Sequence, residues 1–143
     1  MTYRLFGANG SPYSVKVRSY LRYKELEHVW LVRNSADLIE EHRRVAKLPL
    51  VPTLVTPTGE ALQDSTPMLE HLERLHGEKS IYPKGAARFV CELLEEFGDE
   101  WGNKWMMHLR WYSARSELTA EVFARRAAAE LCSGGAESSK TKA

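Results

Sequence analysis

The feature that most constrains this fold is the alternation of strand and helix patterns within the first 76 residues. Residues 2–6 and 28–32 are rich in apolar, aromatic and β-branched side chains, as strands are, and a helical pattern from Pro12 to about Lys24 separates them. A strand–helix–strand unit in one sheet is right-handed and its strands are parallel. The first half of the chain therefore predicts an α/β domain.

The next two strands form a hairpin. A second helical crossover, which would keep the sheet parallel, is not predicted between them. The Pro-Thr-Gly turn at 57–59 joins short strands at 53–56 and 60–63. The sequence therefore predicts the order βαβαββα and a mixed four-stranded sheet with an antiparallel edge.

Each of the three helices in this region begins with a side chain that can cap it. Ser11 precedes the first helix, Ser35 precedes a second that runs to about Ala46, and Asp64 or Ser65 precedes the third. Unpaired N–H groups and the helix dipole make such a start favourable for a negative charge. Ser11 therefore marks a place for a thiolate or another small anion, with simple helix capping as the alternative interpretation.

The overall charge gives no reason to expect a polyanionic partner. The chain has 143 residues, of which 20 are basic and 19 acidic, for a net charge of +1. A basic cluster on the first helix, residues 16–24, is interpreted as a solvated face. The N-terminus has no signal segment and no run is long enough to span a bilayer. We expect a cytoplasmic protein with neither nucleic acid nor membrane as a partner.

Cysteine and histidine spacing favours neither a disulfide framework nor a metal site. Cys91 and Cys132 lie far apart and in different helical patterns, which predicts two reduced thiols. His42, His71 and His76 have no i, i+4 pairing, so they are interpreted as surface or capping residues. No metal is therefore predicted.

The second half of the chain predicts helices. After a linker, apolar residues recur every fourth position, as a long amphipathic helix requires; they are Phe89, Leu93, Phe97, Trp101, Trp105 and Leu109. Such a stripe indicates a core or a subunit interface. Gly98 and Gly102 lie one turn apart, which predicts close packing or a local bend. A further helix is predicted from Glu117 to Leu131.

Three motifs together resemble the thioredoxin-like domain of cytosolic glutathione S-transferases. They are the Ser-Pro-Tyr-x-x-Lys-Val-Arg element at 11–18, the Val-Pro at 51–52 and the acidic-Ser pair at 64–65, and the resemblance covers about residues 1–82. It implies a thioredoxin-like glutathione-binding domain at 1–76, a linker at 77–85, a partial all-α C-terminal domain at 86–132 and a disordered tail at 133–143.

The resemblance also implies a glutathione site and a serine-type mechanism. Ser11 matches the family's catalytic hydroxyl, which stabilises the glutathione thiolate, and Ser14 is a less favoured substitute. Val51 matches the valine whose backbone pairs with the cysteinyl part of glutathione, and Pro52 matches the cis-proline. An ordinary trans proline at the start of a strand is the alternative.

The remaining ligand contacts follow from the third motif. Ser65 matches the serine that binds the γ-glutamyl carboxylate at a helix N-terminus, and Asp64 matches the acidic residue near the glutamyl amino group. Leu50 stands where the family often has a lysine, so Lys47 is the candidate partner for the glycyl carboxylate. Plain helix capping is again the alternative at 64–65.

The resemblance implies an enzyme that joins glutathione, as co-substrate, to a small electrophile, with a role in detoxification. The segment after Gly85 is short for the family's second domain and cannot enclose a substrate pocket alone, so a homodimer or other self-association is expected. A non-catalytic glutathione-binding or protein-interaction module is the alternative. Thiol–disulfide exchange is disfavoured, because neither Ser11 nor Ser14 is a cysteine.

Overall fold

The computed structural model describes residues 2–112, 116–132 and 137–139. The strands are β1 (Tyr3–Phe6), β2 (His28–Leu31), β3 (Thr53–Val55), β4 (Ala61–Gln63) and β5 (Glu137–Ser139). The helices are α1 (Pro12–Tyr23), α2 (Ala36–Val45), α3 (Ser65–Leu75), α4 (Ala86–Glu96), α5 (Asn103–Tyr112) and α6 (Ser116–Cys132). A 3₁₀ turn occupies Gly77–Lys79, and a π-helical segment at Phe97–Gly102 joins α4 to α5.

The strands form one mixed sheet in the order β4-β3-β1-β2-β5. β1 and β2 are parallel, with Tyr3 opposite His28. β3 runs antiparallel to β1, with Leu54 opposite Leu5, and β4 runs antiparallel to β3. The predicted order βαβαββα and the mixed arrangement of its four strands are therefore confirmed as a thioredoxin-like fold.

The end of the chain differs from the expectation of a disordered tail over 133–143. The described part of that segment, Glu137–Ser139, forms β5 antiparallel to β2, while the rest lies outside the described residues. β2 would otherwise be an edge strand with a row of unpaired backbone groups. The sheet therefore has a fifth strand that composition alone did not indicate.

Helices cover both faces of the sheet. One face and the helices α1 and α3 share the larger core, whose buried members are Tyr3, Leu5, Val17, Tyr20, Leu21, Trp30, Leu54, Met68, Leu69 and Leu72. On the other face Phe6, Leu31 and Val55 are buried, with Leu38 and Val45 of α2 packed against them. The alternation of strand side chains between two apolar layers follows from the period of two along each strand.

The region from α4 to α5 is almost continuous helix with a change of pitch in the middle. The π segment begins at Phe97 and ends at Gly102, so both glycines of the predicted bend lie within it. A Cβ added at Gly98 would meet nothing within 4 Å, so a local irregularity, and not close packing, explains that glycine. π segments inside α-helices are frequently found at functional sites.

Candidate functional site

A cavity of about 740 Å³ lies between the start of α3, the loop before β3 and the π segment. We call it the Ser65 cavity. Five of the residues predicted for ligand binding line it: Lys47, Val51, Pro52, Asp64 and Ser65. Residues from two separate motifs therefore meet at one concave surface.

The loop before β3 carries a cis peptide bond between Val51 and Pro52. Gln63, at the end of β4, holds this loop through its side-chain amide. Its Nε2 donates to the carbonyl oxygen of Leu48 at 2.8 Å and to that of Leu50 at 3.3 Å, and its Oε1 accepts from Leu48 N at 2.9 Å. Gln63 also lines the Ser65 cavity, and sequence reasoning treated it only as a strand residue.

A buried histidine supports the same loop from below. His42 is only 2% exposed, so its interpretation as a surface or capping residue was wrong. Its Nε2 lies 3.0 Å from Oγ1 of Thr53, and that hydroxyl donates to the carbonyl oxygen of Leu50 at 3.1 Å. Burial, together with the nearby charge of Arg33, lowers the pKa of His42 below its ordinary value. The neutral imidazole is thus part of the scaffold under the cavity.

The start of α3 supplies the polar wall of the Ser65 cavity. Asp64 is the N-cap and adopts φ of 74°, a left-handed conformation that is uncommon outside glycine, and its carboxylate accepts from Thr66 N at 3.3 Å. Such backbone strain is concentrated at functional sites. Ser65 is 4% exposed and stands at the first position of the helix, where N–H groups have no intrahelical partner. An anionic group of a ligand fits this position.

Ser11 lines a second cavity, of about 860 Å³, which we call the Ser11 cavity. Its hydroxyl caps α1 by accepting from Ser14 N at 3.3 Å, as predicted. Ser11 and Pro12 face this cavity, whereas the next residue, Tyr13, lines the Ser65 cavity. The N-terminus of α1 therefore borders both cavities. Ser11, the predicted catalytic residue, lines a different cavity from the other five predicted residues.

The sequence comparison decides the family. The model of the glutathione S-transferase N-terminal domain matches residues 5–80, which is more than half of the chain. The chain belongs to the glutathione S-transferase family. Among curated protein sequences, none matches this transferase-family chain significantly.

Solved transferase structures share its fold. A glutathione S-transferase from Rhodospirillum rubrum is 28% identical with a TM-score of 0.62, over 71% of this chain and 47% of its own. One from Methylobacterium radiotolerans, in complex with glutathione sulfonate, is 24% identical with a TM-score of 0.66, over 93% and 65%. A family member from Pseudomonas fluorescens with bound glutathione is 21% identical with a TM-score of 0.62, over 92% and 71%. The chain thus spans about half to two thirds of the first two relatives.

In this transferase-family chain an ionic network joins α1 and α3 to the helical region. Lys16 Nζ lies 2.6 Å from Oε1 of Glu95 and 2.7 Å from Oδ2 of Asp99, and it also donates to Thr66 Oγ1 at 3.3 Å. Burial alone would lower the pKa of Lys16, but these two carboxylates raise it. Lys16 is therefore no part of a solvated face, contrary to the sequence interpretation.

The π segment of the transferase-family chain also contacts Tyr13, which lines the Ser65 cavity. The Tyr13 hydroxyl donates to the carbonyl oxygen of Asp99 at 2.8 Å. Burial, with the charges of Asp99 and Glu100, raises the pKa of Tyr13, so its phenol stays protonated and engaged in this bond. The sequence indicated the bend at the glycines but not that the bend would contact α1.

Two further properties concern only the residues that the structure describes. None of their helices combines the length and the apolar character that crossing a bilayer requires. Within the same ranges, no group of three or more histidine, cysteine or carboxylate side chains is arranged to hold a metal ion.

Proposed function

We propose that this chain binds glutathione in the Ser65 cavity. The observation that carries the proposal is that the Val51-Pro52 loop and the start of α3 line one cavity together with an exposed lysine, Lys47. The γ-glutamyl carboxylate would lie at Ser65 and the glutamyl amino group near Asp64. The backbone of Val51 would pair with the cysteinyl part, and Lys47 would hold the glycyl carboxylate.

The proposed activity is transfer of glutathione to a small electrophile. A free thiol titrates near pKa ~8.5, and a hydroxyl donor at a positive helix end lowers that value. Ser11, at the start of α1, would stabilise the glutathione thiolate for attack on a carbon held in the Ser11 cavity. A cytoplasmic location, a role in detoxification and the limits predicted for the glutathione-binding domain, the linker and the partial all-α domain, 1–76, 77–85 and 86–132, belong to the same proposal.

A non-catalytic glutathione-binding module of the same fold is the second candidate. One observation favours it: Ser11 lines a different cavity from the other five predicted residues. Binding without turnover would result if the thiol of bound glutathione lay too far from the Ser11 hydroxyl.

Calorimetric titration with glutathione tests the binding part of the proposal. Ser65→Ala removes the hydroxyl proposed to hold the γ-glutamyl carboxylate, and hydrogen bonds to charged groups contribute about 1.5–3 kcal/mol. We expect glutathione affinity to fall at least about tenfold. Ser35→Ala, at the start of α2, is the matched control and keeps wild-type affinity, because Ser35 lines neither cavity. Equal affinity in wild type and Ser65→Ala would overturn the assignment.

Conjugation of a neutral chromogenic aryl halide separates the two candidates. Turnover above the uncatalysed rate supports the transferase. Glutathione binding with no such turnover supports the module.

A further inference from the structure

The charged side chains that the structure describes in the lining of the Ser11 cavity are all basic. Basic side chains from three elements line it, namely Lys16, Arg110 and Arg126, and none of the acidic residues that the structure describes does. The rest of its lining is apolar or uncharged, including Val15, Met106 and Phe123. A ligand that fills such a cavity meets positive charge along one part of its wall and hydrocarbon along another.

Two of these cations have no counterion among the side chains that the structure describes. Lys16 is compensated by Glu95 and Asp99. Arg110 lies 4.6 Å above the ring of Phe123 and donates weakly, at 3.4 Å, to the carbonyl oxygen of Gly10. No described carboxylate forms an ion pair with Arg110 or with Arg126. Among the described residues no carboxylate therefore neutralises their guanidinium groups, and a guanidinium fork matches a carboxylate in shape.

The apolar part of the wall stands directly over the start of α1. Phe123 of α6 approaches the backbone so closely that a Cβ at Gly10 would lie 2.4 Å from its ring. Phe123 also meets Trp111 edge to face, with ring centroids 6.0 Å apart. The ring is therefore held next to Ser11, where a flat apolar ligand can stack.

We propose that the second substrate is an aromatic electrophile that carries a carboxylate, with the carboxylate held by Arg110 and Arg126 and the ring beside Phe123. This inference rests on the proposed function, because it assigns the partner of the glutathione thiolate. With an aryl halide, sulfur attacks the carbon that bears the halogen and a C–S bond forms. The carbon–halogen bond breaks, and halide leaves with the electron pair.

A pair of probes that differ in one charge tests the proposal. The first is a chloronitrobenzoate with chlorine ortho to the nitro group and para to the carboxylate, and the second is the corresponding carboxamide. For each probe, kcat/KM of the wild type is divided by the rate constant of that probe's uncatalysed reaction with glutathione. We expect this ratio to be at least about tenfold higher for the carboxylate than for the carboxamide. Equal values for the two probes would contradict the proposal.

Variants of Arg110 on α5 and of Arg126 on α6 show whether the Ser11 cavity is the cause of this preference. Arg126→Gln should abolish the preference for the carboxylate, and Arg110→Gln should reduce it. Arg125→Gln is the matched control: Arg125 is the neighbouring arginine, pairs with Glu121 on the helix surface and does not line the cavity, so the preference should persist. A preference that survives in Arg126→Gln overturns the assignment.

Direct binding separates this inference from the proposed catalysis. The same benzoate and carboxamide are titrated calorimetrically into the full chain without glutathione. Tighter binding of the benzoate, lost in Arg126→Gln, supports the cavity assignment even if neither probe is turned over, in which case only the catalytic proposal fails. Turnover of both probes with no difference in binding would contradict the assignment of the carboxylate to Arg110 and Arg126, while the proposed transfer of glutathione would stand.

Discussion

The Ser11 hydroxyl caps α1 and also faces the cavity proposed for the electrophile. A hydroxyl can do both, because it accepts with its lone pairs and donates with its single hydrogen. Its bond from Ser14 N uses a lone pair only, so the hydrogen remains for a sulfur. The capping alternative and the thiolate assignment are therefore compatible at this residue.

Comparison with Ser35 separates the two roles of Ser11. Both serines cap a helix by accepting from the backbone N–H three residues on, at 3.3 Å. Ser11→Ala and Ser35→Ala should each lower the free energy of unfolding by about 1 kcal/mol in denaturant titrations. Only Ser11→Ala should also lower the rate of glutathione conjugation. Equal turnover in the two variants would leave Ser11 as a cap alone.

His42 makes stability depend on pH. Its pKa is lowered in the folded chain, whereas it titrates near ~6.5 when unfolded, so the folded state favours the neutral ring. Its contribution is complete above about pH 6.5 and is lost as the pH falls toward the lowered folded value. The urea midpoint of the wild type should fall over this window, and His42→Gln should flatten the change. His71→Gln, on α3, is the control and should keep the wild-type slope.

At the scale of elements, the patterns that depend on neighbouring residues were predictable. Apolar, aromatic and β-branched composition located the first two strands, the Pro-Thr-Gly turn located the β3–β4 hairpin, and capping side chains located the starts of α1, α2 and α3. The cis bond at Val51-Pro52, which the family resemblance implied, is also observed. The signals for the strands, the hairpin and the helix starts each lie within a few residues of one another, whereas the cis bond required the resemblance.

Contacts between distant elements were not predictable in the same way. Gln63 and His42 look like ordinary polar residues until the fold brings both against the loop at 48–52. Lys16 looked solvated because its partners, Glu95 and Asp99, follow about 80 residues later. A single sequence shows the charges but not which pairs meet.

The Lys16 network should hold the helical region against the thioredoxin-like part. Lys16→Met leaves the partly buried carboxylates of Glu95 and Asp99 facing each other without a cation, at a cost of about 2 kcal/mol, between the surface and buried limits. Hydrogen exchange should speed up in the segment 86–112 more than in the sheet. Arg88→Met, which breaks a surface pair with Glu92, is the control and should have little effect. Unchanged exchange in Lys16→Met would show that other contacts hold the helices.

At the scale of the whole molecule, the long helical region presents an apolar face to solvent. Phe89 is 68% exposed, Leu109 63% and Trp105 56%. Large exposed apolar patches mark interaction surfaces. We propose that a second copy of the chain covers this face, as the periodic stripe predicted.

Light scattering across a concentration series tests the self-association. The wild type should show a mass that rises toward the dimer, and Trp105→Glu should shift it to the monomer because a charge would be buried in the interface. A monomer at every concentration, with no binding of a dye specific for apolar surface, would contradict this proposal.

We propose that the Ser65 and Ser11 cavities serve one glutathione site, with the tripeptide in the Ser65 cavity and its sulfur near Ser11. Nuclear magnetic resonance of the isotope-labelled chain during a glutathione titration tests it most directly. We expect the amide signals of Val51, Ser65 and Ser11 to move together with one dissociation constant. Movement at Ser65 without any at Ser11, or no movement at either, would contradict it.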